Sequence, residues 1–199
     1  MAYPFTSLEV TGAAPPLHLA QVQALLILSP SGAKVAAPLL SPGTLCLVQG
    51  AGTAQALGRE DLEVLLPAEA RAEALWNLLQ ARFPEGGEFL LARGERSREF
   101  LEEAAKGTAW HLHPWITHRE APREPFPALP AVEAVLALSP LQAEILATLT
   151  QKVLRFAWGA GTAEAFARAG APAHAHCPPR PSLLWAMLAQ HLNKEGSPC

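Results

Sequence analysis

One eight-residue sequence occurs twice in this chain of 199 residues, and the repeat constrains the fold more than any other feature. Residues 50–57 read GAGTAQAL, and residues 159–166, which lie 109 positions later, read GAGTAEAF. Other pairs recur at a spacing of 109 or 110, including Ser-Pro at 29–30 and 139–140 and Leu-Trp at 75–76 and 184–185. Matches in one register over most of the length indicate a duplicated architecture. The sequence therefore predicts two similar domains.

Short apolar runs alternate with amphipathic segments in each copy, which is typical of strands followed by helices. Runs such as LCLV at 45–48 and FLLA at 89–92 are apolar without interruption. Strands of this kind suit a parallel sheet that helices cover on both faces. The sequence predicts an α/β fold, with strands at 24–28, 44–48 and 62–66 and helices at 31–40, 53–57, 70–81 and 97–107.

A Pro- and charge-rich stretch at 117–130 divides the two copies and is predicted to be a linker. The first residues of the chain are interpreted as its counterpart, so that the chain crosses between the domains twice. We expect a first domain at 9–121 and a second domain at 1–8 plus 122–199. Two crossings predict a hinged pair of domains with a cleft between them.

Charge and composition exclude several classes of function. Lys plus Arg is 15 against 18 for Asp plus Glu, and a net charge of -3 is not expected of a nucleic-acid-binding protein. The apolar runs are far shorter than the roughly 20 residues of a bilayer span, and the first residues lack the pattern of a secretory signal, so we expect a cytoplasmic protein without membrane segments. Three widely spaced cysteines predict neither disulfides nor a zinc site. Acidity comes almost entirely from Glu, a bias typical of organisms that grow at high temperature.

The repeated turns are the best candidates for ligand binding. In parallel sheets the helix N-termini lie at the carboxyl ends of the strands and present backbone N–H groups to anions. Hydroxyl groups from Ser29, Thr53, Ser139 and Thr162 are expected at these positions. Ser and Thr are also common helix caps, so each residue has a purely structural interpretation as well. The group as a whole suits a ligand with several carboxylates.

Three arginines, Arg93, Arg96 and Arg98, surround Gly94 at a predicted strand-to-helix turn. Their guanidinium groups are either a bidentate clamp for carboxylates or a solvated helix start paired with nearby glutamates. The pairs His111 with His113 and His174 with His176 each alternate along a predicted strand, but their spacing does not match a zinc site, and no metal is predicted. The sequence contains neither a GxSxG elbow nor an HExxH motif.

The order of these features resembles uroporphyrinogen-III synthases. The resemblance covers nearly the whole chain and rests on a Ser-Pro after an apolar strand, a Gly-x-x-Thr-Ala turn, a Gly-rich turn with arginines, a Pro-rich crossing, and then the first two features again. The matching stretches are LILSP at 26–30, VQGAGTA at 48–54, LLARGERSR at 90–98, LALSP at 136–140 and WGAGTA at 158–163.

The resemblance implies two flavodoxin-like domains with parallel sheets flanked by helices, joined by a linker of two segments, with an active cleft between them. It also implies a monomer that needs no cofactor or metal. The expected substrate is hydroxymethylbilane, a linear tetrapyrrole, which the family closes to uroporphyrinogen III with inversion of ring D and loss of water. Azafulvene and spiro intermediates are implied. By match to the family's motifs, the residues expected at the site are Ser29, Thr53, Gly94, Ser139, Gly159 and Thr162.

Two features of this chain differ from the family pattern. The family's first β-α unit has no counterpart, so the second domain is expected to lack it. A tyrosine that the family tends to place in a linker strand corresponds to Trp115, and Tyr3 is the only tyrosine of the chain. These differences keep a second function open, a non-catalytic tetrapyrrole or polyanion binding protein of the same fold. An unrelated hinged receptor for a sugar or nucleotide is a third hypothesis.

Overall fold

A computed structural model describes residues 5–97, 99–150, 152–178 and 181–192. Within these residues the strands form one six-stranded and one three-stranded sheet, and the predicted α/β class is confirmed. The chain divides into two compact units, Leu8–Glu120 and Met1–Ser7 with Ala121–Cys199. Tyr3 and Arg98 lie outside the described residues.

The larger sheet contains the first six strands of the chain, in the order β1-β6-β5-β2-β3-β4. Strands β2 to β6 pair in parallel. Strand β1 lies at the edge of the sheet beside β6. The hydrogen bonds from Thr11 N to Thr117 O and from Arg123 N to Phe5 O indicate that the two strands pair antiparallel. The strands are β1 (Thr6–Val10), β2 (Ala24–Ile27), β3 (Leu45–Val48), β4 (Glu63–Leu65), β5 (Gly87–Gly94) and β6 (Trp110–Pro122).

Helices cover both faces of this sheet because its central strands β2, β3 and β5 are apolar on both sides. In β2, Leu25 and Ile27 belong to one buried cluster, while Ala24 and Leu26 belong to another. Side chains alternate along a strand, so a fully apolar strand needs a helical layer on each face. The helices of this unit are α1 (Pro30–Ala36), α2 (Ala51–Leu57), α3 (Ala72–Arg82) and α4 (Phe100–Ala105).

The second unit repeats the β-α pattern on a smaller scale. Its described strands form a parallel sheet in the order β7-β8-β9, with β7 at Ala134–Ala137, β8 at Leu154–Trp158 and β9 at Ala175–Cys177. Its helices are α5 (Pro140–Leu149), α6 (Ala160–Arg168) and α7 (Pro181–Leu192). Phe166 lies in the core on one face of the sheet, and Phe156 lies in the core on the other.

Two sequence predictions are wrong in detail. The helix expected at 97–107 begins at Phe100, because the Ser97 hydroxyl donates to Gly94 O instead of capping the helix. Strand β6 runs to Pro122 and so includes the start of the predicted linker, because its last residues lie alongside β1. No helix in the described part of the chain is long and apolar enough to cross a bilayer.

Substitution of Leu26 tests whether both faces of the larger sheet are buried. The residue is fully buried in β2, and Leu26→Ala is expected to lower the free energy of unfolding by about 3 kcal/mol because it leaves a cavity in the central strand. Leu39, which is 52% exposed, is the matched control, and Leu39→Ala should cost less than about 0.5 kcal/mol. Denaturant unfolding measures both, and equal losses would contradict the assigned core.

Candidate functional site

The carboxyl ends of three parallel strands lie side by side in the unit Leu8–Glu120. Ile27 of β2 is in register with Val48 of β3 and with Ala92 of β5. Ser29, Gly50 and Gly94 each follow one of these residues by two positions. Because the strands are parallel, their ends meet at one edge of the sheet. The structure therefore brings Ser29, the turn before Thr53, and Gly94 to the same edge.

Ser29 is the N-cap of α1, as the sequence predicts. Its backbone is extended, and its Oγ accepts a hydrogen bond of 3.1 Å from Gly32 N. A Cβ placed on Gly32 would lie 3.4 Å from both Ser29 Oγ and Thr117 Oγ1, so these two hydroxyl groups flank the same turn. The cap uses a lone pair of Ser29 Oγ and not its proton, which leaves the hydroxyl able to donate.

Thr53 lies in the first turn of α2 and is buried. The N-cap of this helix is Gly50, and no side chain caps it. The Thr53 N–H donates to Gly50 O at 3.0 Å. The first N–H groups of a helix have no acceptor within the helix, and a glycine cap supplies none from a side chain. The start of α2 therefore offers backbone donors, with the Thr53 side chain beneath them.

The same arrangement occurs at the carboxyl edge of the smaller sheet. Ala137 is in register with Ala157, and Ser139 then caps α5 by accepting a bond of 3.2 Å from Gln142 N. Gly159 precedes α6 with a φ of +92°, in the region that favours glycine, and no side chain caps this helix. Thr162 is buried, and its hydroxyl donates to Trp158 O at 3.0 Å.

The six predicted site residues thus form two groups of three, one at the carboxyl edge of each sheet. Each group combines a serine-capped helix with a glycine-capped helix whose first turn carries a buried threonine. The group in the larger unit also includes Gly94 of β5. The donors at such an edge are mainly backbone N–H groups. Their chemistry suits carboxylates and does not depend on basic side chains.

Arg93 pairs with glutamates, so for this one arginine the structure agrees with the second of the two interpretations. Its side chain is 9% exposed, its Nε lies 2.5 Å from Glu102 Oε1, and its Nη2 lies 3.7 Å from Glu99 Oε1. Its Nη1 also donates to Gly94 O and Ser97 Oγ, at 3.2 Å in both bonds. The guanidinium charge is therefore matched inside the protein. Pairing with nearby glutamates was expected, but the burial of Arg93 was not.

The sequence did not point to His118, which lies within β6 opposite Gly94, the last residue of β5. The ring is buried, and its Nδ1 lies 2.8 Å from Thr117 Oγ1, which in turn donates to Arg93 O at 3.2 Å. A Cβ on Gly94 would lie 2.9 Å from His118 Nε2, so close packing with this ring requires glycine there. Burial lowers the pKa of His118, which keeps the imidazole neutral at neutral pH. The sequence signal was only a Thr-His pair at a strand end.

His111 and His113 lie near the start of β6, away from His118. His113 Nε2 lies 2.5 Å from Glu88 Oε2, and His111 Nδ1 lies 3.4 Å from Glu88 Oε1. Both rings therefore project from one face of the sheet, as their spacing predicts. Among the residues that the structure describes, no group of three or more His, Cys, Asp or Glu side chains is placed to hold a metal ion.

Comparison with known proteins identifies the family. The family model described as "Uroporphyrinogen-III synthase HemD" matches residues 6–184. The chain belongs to the uroporphyrinogen-III synthase family. This assignment argues against an unrelated sugar or nucleotide receptor. No curated protein matches the chain.

Two solved structures of uroporphyrinogen-III synthases are similar to this chain. The uroporphyrinogen-III synthetase of Helicobacter pylori has a TM-score of 0.69 at 13% identity, and the match covers 94% of this chain and 90% of that one. A mutant uroporphyrinogen III synthase of the extremely thermophilic bacterium Thermus thermophilus has a TM-score of 0.57 at 19% identity, with 96% and 88% covered. Similarity at these identities establishes the fold alone.

Trp115, at the position where the resemblance implies a tyrosine, is a core residue here. It is 2% exposed and lies in the cluster that contains Leu25 and Leu90. Its Nε1 donates to Ala13 O at 2.7 Å. An indole that is buried and hydrogen-bonded in this way fixes a loop against the sheet and has no acidic proton to offer to a substrate.

Trp115→Phe should therefore affect stability. Loss of ring volume and of the bond to Ala13 O is expected to lower the free energy of unfolding by about 2–3 kcal/mol. Trp110 is the matched control, since its Nε1 donates to Phe83 O at 2.9 Å but its ring is only half-buried. Trp110→Phe should cost about 1 kcal/mol. Chemical denaturation compares the two, and a Trp115→Phe protein as stable as the wild type would refute the assignment.

Proposed function

We propose that the protein is a uroporphyrinogen-III synthase, a lyase that closes hydroxymethylbilane to uroporphyrinogen III with inversion of ring D and loss of water. The observation that carries the proposal is the family match over residues 6–184. The two carboxyl edges support it independently, because they present backbone donors suited to a substrate with several carboxylates.

We propose that both edges contact one substrate molecule across a cleft between two flavodoxin-like domains, as the resemblance implies. In the larger unit, the Ser29 hydroxyl and the N–H groups at the start of α2 bind carboxylates beside Gly94. In the smaller unit, the N–H groups after Gly159 and the turn capped by Ser139 do the same. Thr162 donates its proton to Trp158 O, so its role is to hold the first turn of α6.

The chemistry needs positioning and electrostatic stabilisation more than a nucleophile. The C–O bond of the hydroxymethyl group breaks with both electrons going to oxygen, which takes a proton from solvent and leaves as water. The azafulvene cation that remains is attacked by the substituted α-carbon of ring D, which forms a spiro intermediate. The bond between that carbon and the methylene bridge to ring C then breaks and leaves a second azafulvene cation on ring C. The free α-carbon of ring D attacks this bridge carbon and loses its proton to solvent, so that ring D is inverted in the product. Holding the two chain ends together brings the reacting carbons into contact in the required orientation, and fixed dipoles stabilise the transient charge. None of the six proposed site residues is ionisable.

A second candidate function is a non-catalytic tetrapyrrole or polyanion binding protein of the same fold. The observation that favours it is Trp115, which is buried at the position that the resemblance assigns to the family's tyrosine. Such a protein would use the same backbone donors for carboxylates but would not direct the closure of the ring.

Product analysis separates the two functions. Purified protein is incubated with freshly generated hydroxymethylbilane, and the type I and type III isomers are separated after oxidation to the porphyrins. The proposed enzyme yields the type III isomer, whereas hydroxymethylbilane closes without inversion to type I in a control with heat-denatured protein. Only type I product from folded protein would overturn the proposed activity and leave the binding role.

Thr162 tests the contribution of the α6 terminus. Thr162→Ala removes the bond to Trp158 O and loosens the first turn of α6, so kcat/KM for uroporphyrinogen III formation should fall about tenfold while Tm falls only a few degrees. Thr162→Ser retains the hydroxyl and should retain most of the turnover. A large loss of Tm with normal turnover would assign Thr162 to helix capping alone.

A further inference from the structure

A linear tetrapyrrole presents two kinds of polar group, and the helix ends bind only one of them. Its carboxylates accept hydrogen bonds, and the N–H groups at the starts of α2 and α6 supply donors. Its pyrrole N–H groups are donors themselves and need acceptors. When the hydroxymethyl group loses its oxygen, positive charge spreads onto the adjacent pyrrole nitrogen, and that N–H becomes a stronger donor. A site that stabilises this cation needs a neutral acceptor.

His118 has the hydrogen bonds that make its outer nitrogen an acceptor. Thr117 has a single hydroxyl proton, and it is donated to Arg93 O, which cannot donate in return. Both contacts of Thr117 Oγ1 are hydrogen bonds only when Nδ1 carries a proton and donates at 2.8 Å, and this is the tautomer that we assign. A neutral imidazole with its proton on Nδ1 keeps a lone pair on Nε2.

His118 Nε2 lies at the edge where the larger unit gathers its predicted site residues. It packs against Gly94, where a side chain of any size would collide with it. Thr117, which fixes the ring, shares the turn at Gly32 with Ser29 Oγ, the N-cap of α1. His118 as a whole residue is 9% exposed, so bulk water is mostly excluded from it although it is not fully enclosed.

We propose that His118 Nε2 accepts a hydrogen bond from a pyrrole N–H of the substrate and stabilises the cation formed when the hydroxyl group leaves. This inference rests on the proposed function and adds a residue to it. Thr117 is a positioning residue, because it acts by holding the ring and its tautomer. The requirement for glycine at 94 follows from the same packing, since a larger residue would displace Nε2.

The charged groups near His118 do not change the direction in which burial shifts its pKa. On β5, Arg93 is paired with Glu99 and Glu102, and on β6 the Arg119 side chain is paired with Glu9 of β1. On α1, Lys34 is exposed. Desolvation is the cause of the lowered pKa of His118, and the ring becomes protonated only below the ordinary range of histidine. Once protonated, Nε2 is a donor and no longer an acceptor.

The main test compares two Asn substitutions on the same strand. In His118→Asn the amide takes the place of Nδ1 and can still bond to Thr117, but Nε2 is removed. We expect kcat/KM for uroporphyrinogen III formation to fall about tenfold or more, with Tm changed by only a few degrees. His111→Asn, at the other end of β6, is the matched control and should leave kcat/KM unchanged.

A second measurement does not depend on comparing activities. In protein with ¹⁵N-labelled histidine, His118 should show protonated Nδ1 and unprotonated Nε2 at neutral pH, and Nε2 should shift when uroporphyrinogen III is added. The kcat/KM of the wild type should fall as the pH drops through the lowered pKa of His118, below 6.5, and His118→Asn should lack this decrease.

The possible results separate this inference from the proposed function. Type III product from both the wild type and His118→Asn at equal rates overturns the role of His118 and leaves the proposed function intact. A proton on Nε2 in the free protein also overturns the role. A wild-type protein that yields only type I product overturns the proposed function and this inference with it. Tenfold loss in His118→Asn with a folded protein and an unchanged His111→Asn supports it.

Discussion

Burial of both faces of the parallel sheets is the constraint on which the rest of the structure depends. In β2, Leu25 and Ile27 face one helical layer, while Leu26 faces the other. An apolar strand of this kind is stable only between two layers of helices. Each helix must then follow its strand by a crossover, which places helix N-termini at the carboxyl edge of the sheet. The same burial that forms the core therefore creates the edge at which we propose that carboxylates bind.

A site built from helix ends leaves little trace in the sequence. Backbone N–H groups bind carboxylates whatever the side chains are, provided that the turn is tight and the helix begins at the right residue. Glycine before α2 and α6 and serine before α1 and α5 meet that requirement. The proposed site therefore contains no residue that stands out as a nucleophile.

Local sequence patterns predicted the strands and helix starts well. Predictions about side chains that contact other parts of the fold were less accurate. Ser29 and Ser139 cap helices as expected, because a cap is decided within four residues. Ser97 does not cap α4, because its hydroxyl bonds back to Gly94 O at the end of β5. Arg93 is part of a buried ion pair, because Glu102 on α4 packs over it. The helical pattern alone gives no indication of that contact.

The sequence by itself determined the duplicated α/β architecture, the strands and helix starts, and the resemblance to uroporphyrinogen-III synthases, because these depend on periodicity and on residues close together in the chain. Only the tertiary structure decided the surroundings of single side chains. Trp115 bonds to Ala13 across 102 residues, and His118 lies against Gly94 because β5 and β6 pair in parallel with a bulge after Arg93. Burial and strand register join residues that are distant in sequence, so these contacts appear only once the chain is folded.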